Sequence, residues 1–91
     1  MDSKRFMYEV ESTLTALSPE MVPGVLKKQL ERLEADPGIL TPSQAKEFIR
    51  NVVEALDLIL GPDTSNGAKK LMMRKFRQCC SDDELEALMQ A

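Results

Sequence analysis

The segment from Thr41 to Gly61 carries helix signals at both ends, and what it forms dictates what the rest of the chain must pack against. Thr41 followed three residues later by Gln44 is a capping-box pattern, in which each side chain satisfies a backbone donor that the helix leaves unpaired. Pro42 falls at the first helical position, where its fixed φ helps and its missing N–H costs nothing. Gly61 suits the left-handed position just past a helix end, and Pro62 forbids continuation. Between these signals Phe48, Ile49, Val52, Val53, Leu56, Ile59 and Leu60 form a broad apolar stripe at helical spacing. A helix this apolar needs covering on more than one side.

The rest of the chain offers helices to cover it. A first helix is expected from about Ser3 to Leu17, with Phe6, Met7, Val10, Leu14 and Leu17 on one face. Ser18 with Pro19 reads as a cap and restart, giving one helical turn before Pro23-Gly24 interrupts. A second helix then runs from about Pro23 to Ala35 with Val22, Leu26, Leu30 and Leu33 inward, and Pro23 either kinks it or starts it. Glu31 stands at pairing distance in sequence from Lys27 and Lys28. Asp36-Pro37-Gly38 is a turn by composition.

Gly61 to Gly67 reads as the longest break, with Asp63, Thr64 or Ser65 able to cap a fourth helix that ends near Cys79. Its inward residues are Ala68, Leu71, Met72, Phe76 and Cys79. Ser81 and Glu84 form a second capping box, opening a short helix with Leu85, Leu88 and Met89. No strand pattern or internal repeat is present. The expectation is an all-α fold, a compact bundle of four main helices plus a short C-terminal helix, as one domain over residues 1–91.

Chemistry is narrowed mainly by what the composition lacks. The chain has no His, which removes the commonest general base and metal ligand, and with it any Ser–His or Cys–His pair within one chain. The carboxylates fall on solvated helix faces, with no pair whose surroundings would separate two pKa values. Cys79 and Cys80 are adjacent, so a mutual disulfide would be strained, and two sulfurs fall short of a four-ligand zinc site. Cys79 instead continues an apolar stripe, as a small hydrophobe would. The chain is therefore expected to be no enzyme and to hold no cofactor or metal. The longest apolar run, Leu58 to Leu60, is far too short for a membrane span, and a cytoplasmic location is the expectation.

The Gly61 to Lys70 stretch approaches three kinds of ligand loop. A phosphate loop needs four residues between its glycines, and five separate Gly61 from Gly67. A calcium loop starting at Asp63 would place Ala68 at the glycine position and Arg74 at the bidentate glutamate. Leu60-Gly61-Pro62-Asp63-Thr64-Ser65 resembles, over six residues, the loop of acyl carrier proteins that bears a phosphopantetheine arm. On that resemblance Ser65 would be the attachment point. The Asp-Ser-Leu core of that family is absent, and the helix that follows is basic here and acidic there.

One local asymmetry remains. Lys69, Lys70, Arg74, Lys75 and Arg77 place five cations within nine residues without an acid, and Asp82, Asp83, Glu84 and Glu86 follow at once. Lys70, Arg74 and Arg77 share one side of a helix, a basic ridge beside the apolar stripe. The helix dipole accounts for Arg74, Lys75 and Arg77 near a C-terminus, but not for Lys69 and Lys70 near a helix start. Met7, Met21, Met73 and Met89 are candidates for partial exposure, and a Met-rich apolar groove suits an amphipathic partner. The expected role is a small acidic regulatory or accessory module that binds another protein, through Lys69, Lys70, Met73, Arg74 and Arg77. A homodimer through the apolar faces of helices three and four would use the same region. The alternative is a nucleic-acid-associated regulator using the basic helix 69–77. The net charge of −3 argues against a surface that binds phosphate all over.

Overall fold

The computed structural model describes residues 1–36 and 38–90, the side chains of 89 and 90 apart. It is an all-α bundle of α1 (Ser3–Thr15), α2 (Val22–Leu33), α3 (Pro42–Leu60), α4 (Pro62–Cys79) and a short α5 (Asp82–Gln90). No strand occurs among the described residues. The Cα radius of gyration of 12.4 Å compares with about 12 Å for a compact chain of this length.

α3 starts and ends where its caps dictate. Thr41 Oγ1 accepts from Gln44 N at 3.1 Å, and Thr41 N donates to Gln44 Oε1 at 3.0 Å. Phe48, Ile49, Val52 and Leu56 are buried along it, whereas Ile59 at the end of the stripe is exposed. The second box also closes: Ser81 N donates to Glu84 Oε1 at 3.0 Å, and Glu84 N to Ser81 Oγ at 3.2 Å. Leu85 and Leu88 of α5 pack against the core from its edge.

The stretch read as the longest break is helical instead. Gly61 is at once the C-cap of α3 and the N-cap of α4, with φ 90° and ψ 168°. Its N–H closes α3 on Asp57 O at 3.1 Å, and its carbonyl opens α4 by accepting from Ser65 N at 3.1 Å. The torsions are not those of the left-handed position expected from sequence, but of an extended positive-φ region that only glycine enters readily. Pro62 stands at the start of α4, so a residue read as a stop signal is also a start signal. Across this one residue of connection α3 and α4 pack side by side as an antiparallel hairpin. Asp57 accordingly meets Ser65, while Ile49 and Val53 lie across from Met73 and Lys69.

Two further expectations are corrected, and one alternative left open by the sequence is decided. α1 stops at Thr15, and Leu17 is exposed rather than inward. Ser18 contributes its backbone carbonyl, accepting from Met21 N and Val22 N, and α2 has no side-chain cap. Pro23 lies in the first turn of α2, which it starts rather than kinks. Around the Asp36 turn, Gly38 N donates to Asp36 Oδ1 at 2.8 Å and Ile39 N to Asp36 O at 2.9 Å, while Pro37 lies outside the described residues.

Phe6 sits at the centre of the core. Its ring packs edge-to-face on Phe48 of α3 and Phe76 of α4, at centroid distances of 6.4 and 6.2 Å. α4 is thereby held between α1 and α3, and α3 between α2 and α4. One long flank of the α3–α4 hairpin is left without a covering helix, apart from α5 at one end.

Candidate docking surface

Burying Ala68, Met72, Phe76 and Cys79 on one side of α4 turns Lys70, Arg74 and Arg77 to the other, at intervals of four and three residues. Lys69 and Met73 lie between those two faces, toward α3. All five residues singled out from sequence line one shallow, open cleft, together with Asn66 and Gln78, all of them on α4. Lys69, Lys70, Arg74 and Arg77 are exposed and Met73 is half-buried. With α4 starting at Pro62, Lys69 and Lys70 fall in mid-helix, where the dipole neither favours nor opposes them.

The fifth cation of the run is used elsewhere. Lys75 Nζ lies 2.7 Å from Glu9 Oε2, tying α4 to α1, and this hydrogen bond holds the Glu9 carboxyl below its ordinary range. Among the described residues no carboxylate lines the cleft, and none of its four cations is in an ion pair. The ion pairs read from sequence between Glu31 and Lys27 or Lys28 are also not formed. Like charges one helical turn apart, as at Lys70 and Arg74, cost a helix about 0.2–0.5 kcal/mol per pair. The ridge therefore opposes folding slightly.

Lys69 and Met73 also belong to a second, narrower slot of about 270 Å³ between α3 and α4. Its α3 wall is formed by Lys46, Ile49, Arg50, Val53 and Glu54. The slot is apolar at its base, where Ile49, Val53 and Met73 meet, and cationic along most of its rim. The basic ridge and the apolar surface, separate arguments in the sequence, thus share two residues.

The remaining candidates are structural. Ser65 is buried, and its hydroxyl donates to Pro62 O at 3.0 Å and lies 3.3 Å from Asp57 Oδ1. A serine enclosed within α4 lacks the exposure that attachment of a phosphopantetheine arm requires. Cys79 is buried and Cys80 half-buried, both as free thiols, and burial pushes both pKa values up. A thiol that resists ionisation is a poor nucleophile and a poor metal ligand. Among the described residues no cluster of three His, Cys, Asp or Glu could hold an ion. No helix among them is long and apolar enough to cross a membrane.

A separate apolar patch escaped sequence reasoning. Leu58, on the outer side of α3, is 89 % exposed, with Ile59 next to it at the mouth of the α2–α3 cleft. The run Leu58-Ile59-Leu60 cannot bury all three side chains on a helix, and that was the available signal. Of the methionines expected to be partly exposed, Met21 is exposed, Met7 and Met73 are half-buried, and the side chain of Met89 lies outside the described residues.

Comparison of the chain with known protein families, with characterised proteins and with solved structures finds no match.

Proposed function

We propose that this chain is a small non-enzymatic regulatory or accessory module that binds another protein, docking an acidic or amphipathic partner through α4 and the adjacent apolar surface. The observation that carries the reading is four uncompensated cations around one cleft, joined through Lys69 and Met73 to an apolar slot. Such a surface steers an anionic partner electrostatically and retains it by apolar contact. A cytoplasmic setting belongs to the same reading, since free thiols suit a reducing compartment.

Nucleic acid is the second reading, and the same cations favour it. Against it, no aromatic residue lines the cleft for bases to stack on, and all three Phe are buried. The net charge of −3 adds a general repulsion of phosphate.

The test is capture of partners by tagged protein beside Lys70→Glu/Arg74→Glu, with and without nuclease, after circular dichroism has established that both are folded. The expected result is one stoichiometric protein that survives nuclease and is lost with the double variant. Capture that disappears with nuclease transfers the surface to nucleic acid. Capture unchanged by the double variant removes the ridge from the function.

A further inference from the structure

Helices α3 and α4 present side chains to the slot, and their backbone groups are spent within the helices. An extended peptide laid there would leave its own N–H and C=O groups unpaired against Ile49, Val53 and Met73. A helix satisfies its backbone internally and brings only side chains, and no strand edge is present among the described residues to recruit an extended segment.

Charge narrows the occupant further. Lys46 and Arg50, one turn apart on α3, stand on the bank opposite Lys69, so cations flank the apolar base from both helices. Among the described residues Glu54 is the one acid at its rim. An occupant matching this layout carries an aliphatic stripe with carboxylates on both sides.

α5 lies at one end of this surface. α5 contains Asp82, Asp83, Glu84 and Glu86 and no cation. Its Leu88 lines a cleft with Ser43, Lys46, Glu47 and Arg50, and Lys46 and Arg50 also belong to the wall of the slot. α5 thus sets an apolar side chain beside Lys46 and Arg50 at one end of the flank, while its Glu84 turns to the Met1 ammonium and Ser81.

Resting on the docking role proposed above, we infer that the occupant is an amphipathic α-helix of a partner protein, acidic on both sides of an aliphatic stripe, which seats that stripe between α3 and α4. Asn66 to Gln78 extends about 18 Å at about 1.5 Å per residue, so three to four turns of partner helix cover the ridge.

The test uses a labelled peptide helix of about fifteen residues, a length at which isolated helices become appreciable, with Leu at every third or fourth position and Glu between. The intact chain should bind it, and should not bind the same peptide with Lys replacing Glu. Lys46→Glu/Arg50→Glu, on exposed positions, should weaken binding by about tenfold or more. Val53→Gln should weaken it as well, with helicity unchanged by circular dichroism. If Lys70→Glu/Arg74→Glu abolishes partner capture while both α3 variants bind peptide and partner normally, the docking reading stands and the slot is not the seat. Tighter binding of an oligonucleotide than of the acidic peptide overturns the inference, as does a dimer in sedimentation that Val53→Gln dissociates.

Discussion

Ser3 Oγ accepts a hydrogen bond from Leu40 N at 2.7 Å and donates one to Leu40 O at 3.0 Å, so one buried hydroxyl satisfies both backbone groups of a residue thirty-seven positions away. The pair fastens the first turn of α1 to the segment that leads into α3. Ser3→Ala leaves a buried N–H and C=O without partners, at a cost of about 2 kcal/mol. Thermal melting should show Tm falling by about 8–16 °C. An unchanged melting temperature would mean that water replaces the hydroxyl.

Phe6 joins three helices, and its removal should be felt in all of them. Phe6→Ala vacates a fully buried site and breaks two edge-to-face contacts, costing about 4 kcal/mol. Against a total stability of about 5–10 kcal/mol for a chain this size, that leaves a marginal fold. Phe6→Leu keeps most of the volume and should melt cooperatively at a lower temperature. Denaturant titration of both variants checks the order.

How far the fold could be read from sequence depended on whether a local signal had one meaning. Thr41 with Gln44, and Ser81 with Glu84, are local devices, and both helix starts lie where those residues indicate. Gly61-Pro62 is ambiguous, since a glycine and a proline end one helix or begin the next, and here they do both. The Ser3–Leu40 bonds were illegible because nothing in the spacing of two residues so far apart marks them. For the candidate surface, helical periodicity was enough to group the cations on α4. It could not show that Lys75 is diverted to Glu9, or that Lys46 and Arg50 of α3 face the same slot, because both depend on how helices pack.

Five ionisable groups shift on folding and make stability depend on pH. The hydrogen bond from Lys75 lowers the Glu9 pKa from 4.5, and that from the Met1 ammonium lowers Glu84 likewise. A depressed carboxylate stabilises the fold above its unfolded pKa and loses that effect as pH falls through the folded value, so stability should decline below about pH 4.5. The Met1 ammonium is raised above 8.0 by its hydrogen bond to Glu84, 2.8 Å away. Its contribution is complete below pH 8.0 and lost as pH rises through the folded value. Cys79 and Cys80, raised from 9.0 by burial, add to the loss at higher pH. Denaturant midpoints across pH should show a plateau between these limits. Glu9→Gln should flatten the acid limb, and acetylating the Met1 amine should flatten the part of the alkaline limb nearest pH 8; limbs that do not move would exclude these pairs as the cause.

Gly61 and Gly67 both fall in a stretch that reads as loop, and substitution should separate them by sign. At Gly61 an added Cβ would meet no neighbour within 4 Å, so crowding is not the obstacle. The obstacle is φ 90° with ψ 168°, a conformation that costs a residue with a side chain about 1–3 kcal/mol. Gly67 lies inside α4 with equally open space around it and no positive φ. There alanine removes backbone freedom from the unfolded chain at no steric cost and should stabilise by about 0.5–1 kcal/mol. Thermal melting of Gly61→Ala and Gly67→Ala should therefore move Tm in opposite directions. Destabilisation by both would mean that residues 62–67 are not helical in solution, and the single-residue hairpin that lays α4 along α3 would go with them.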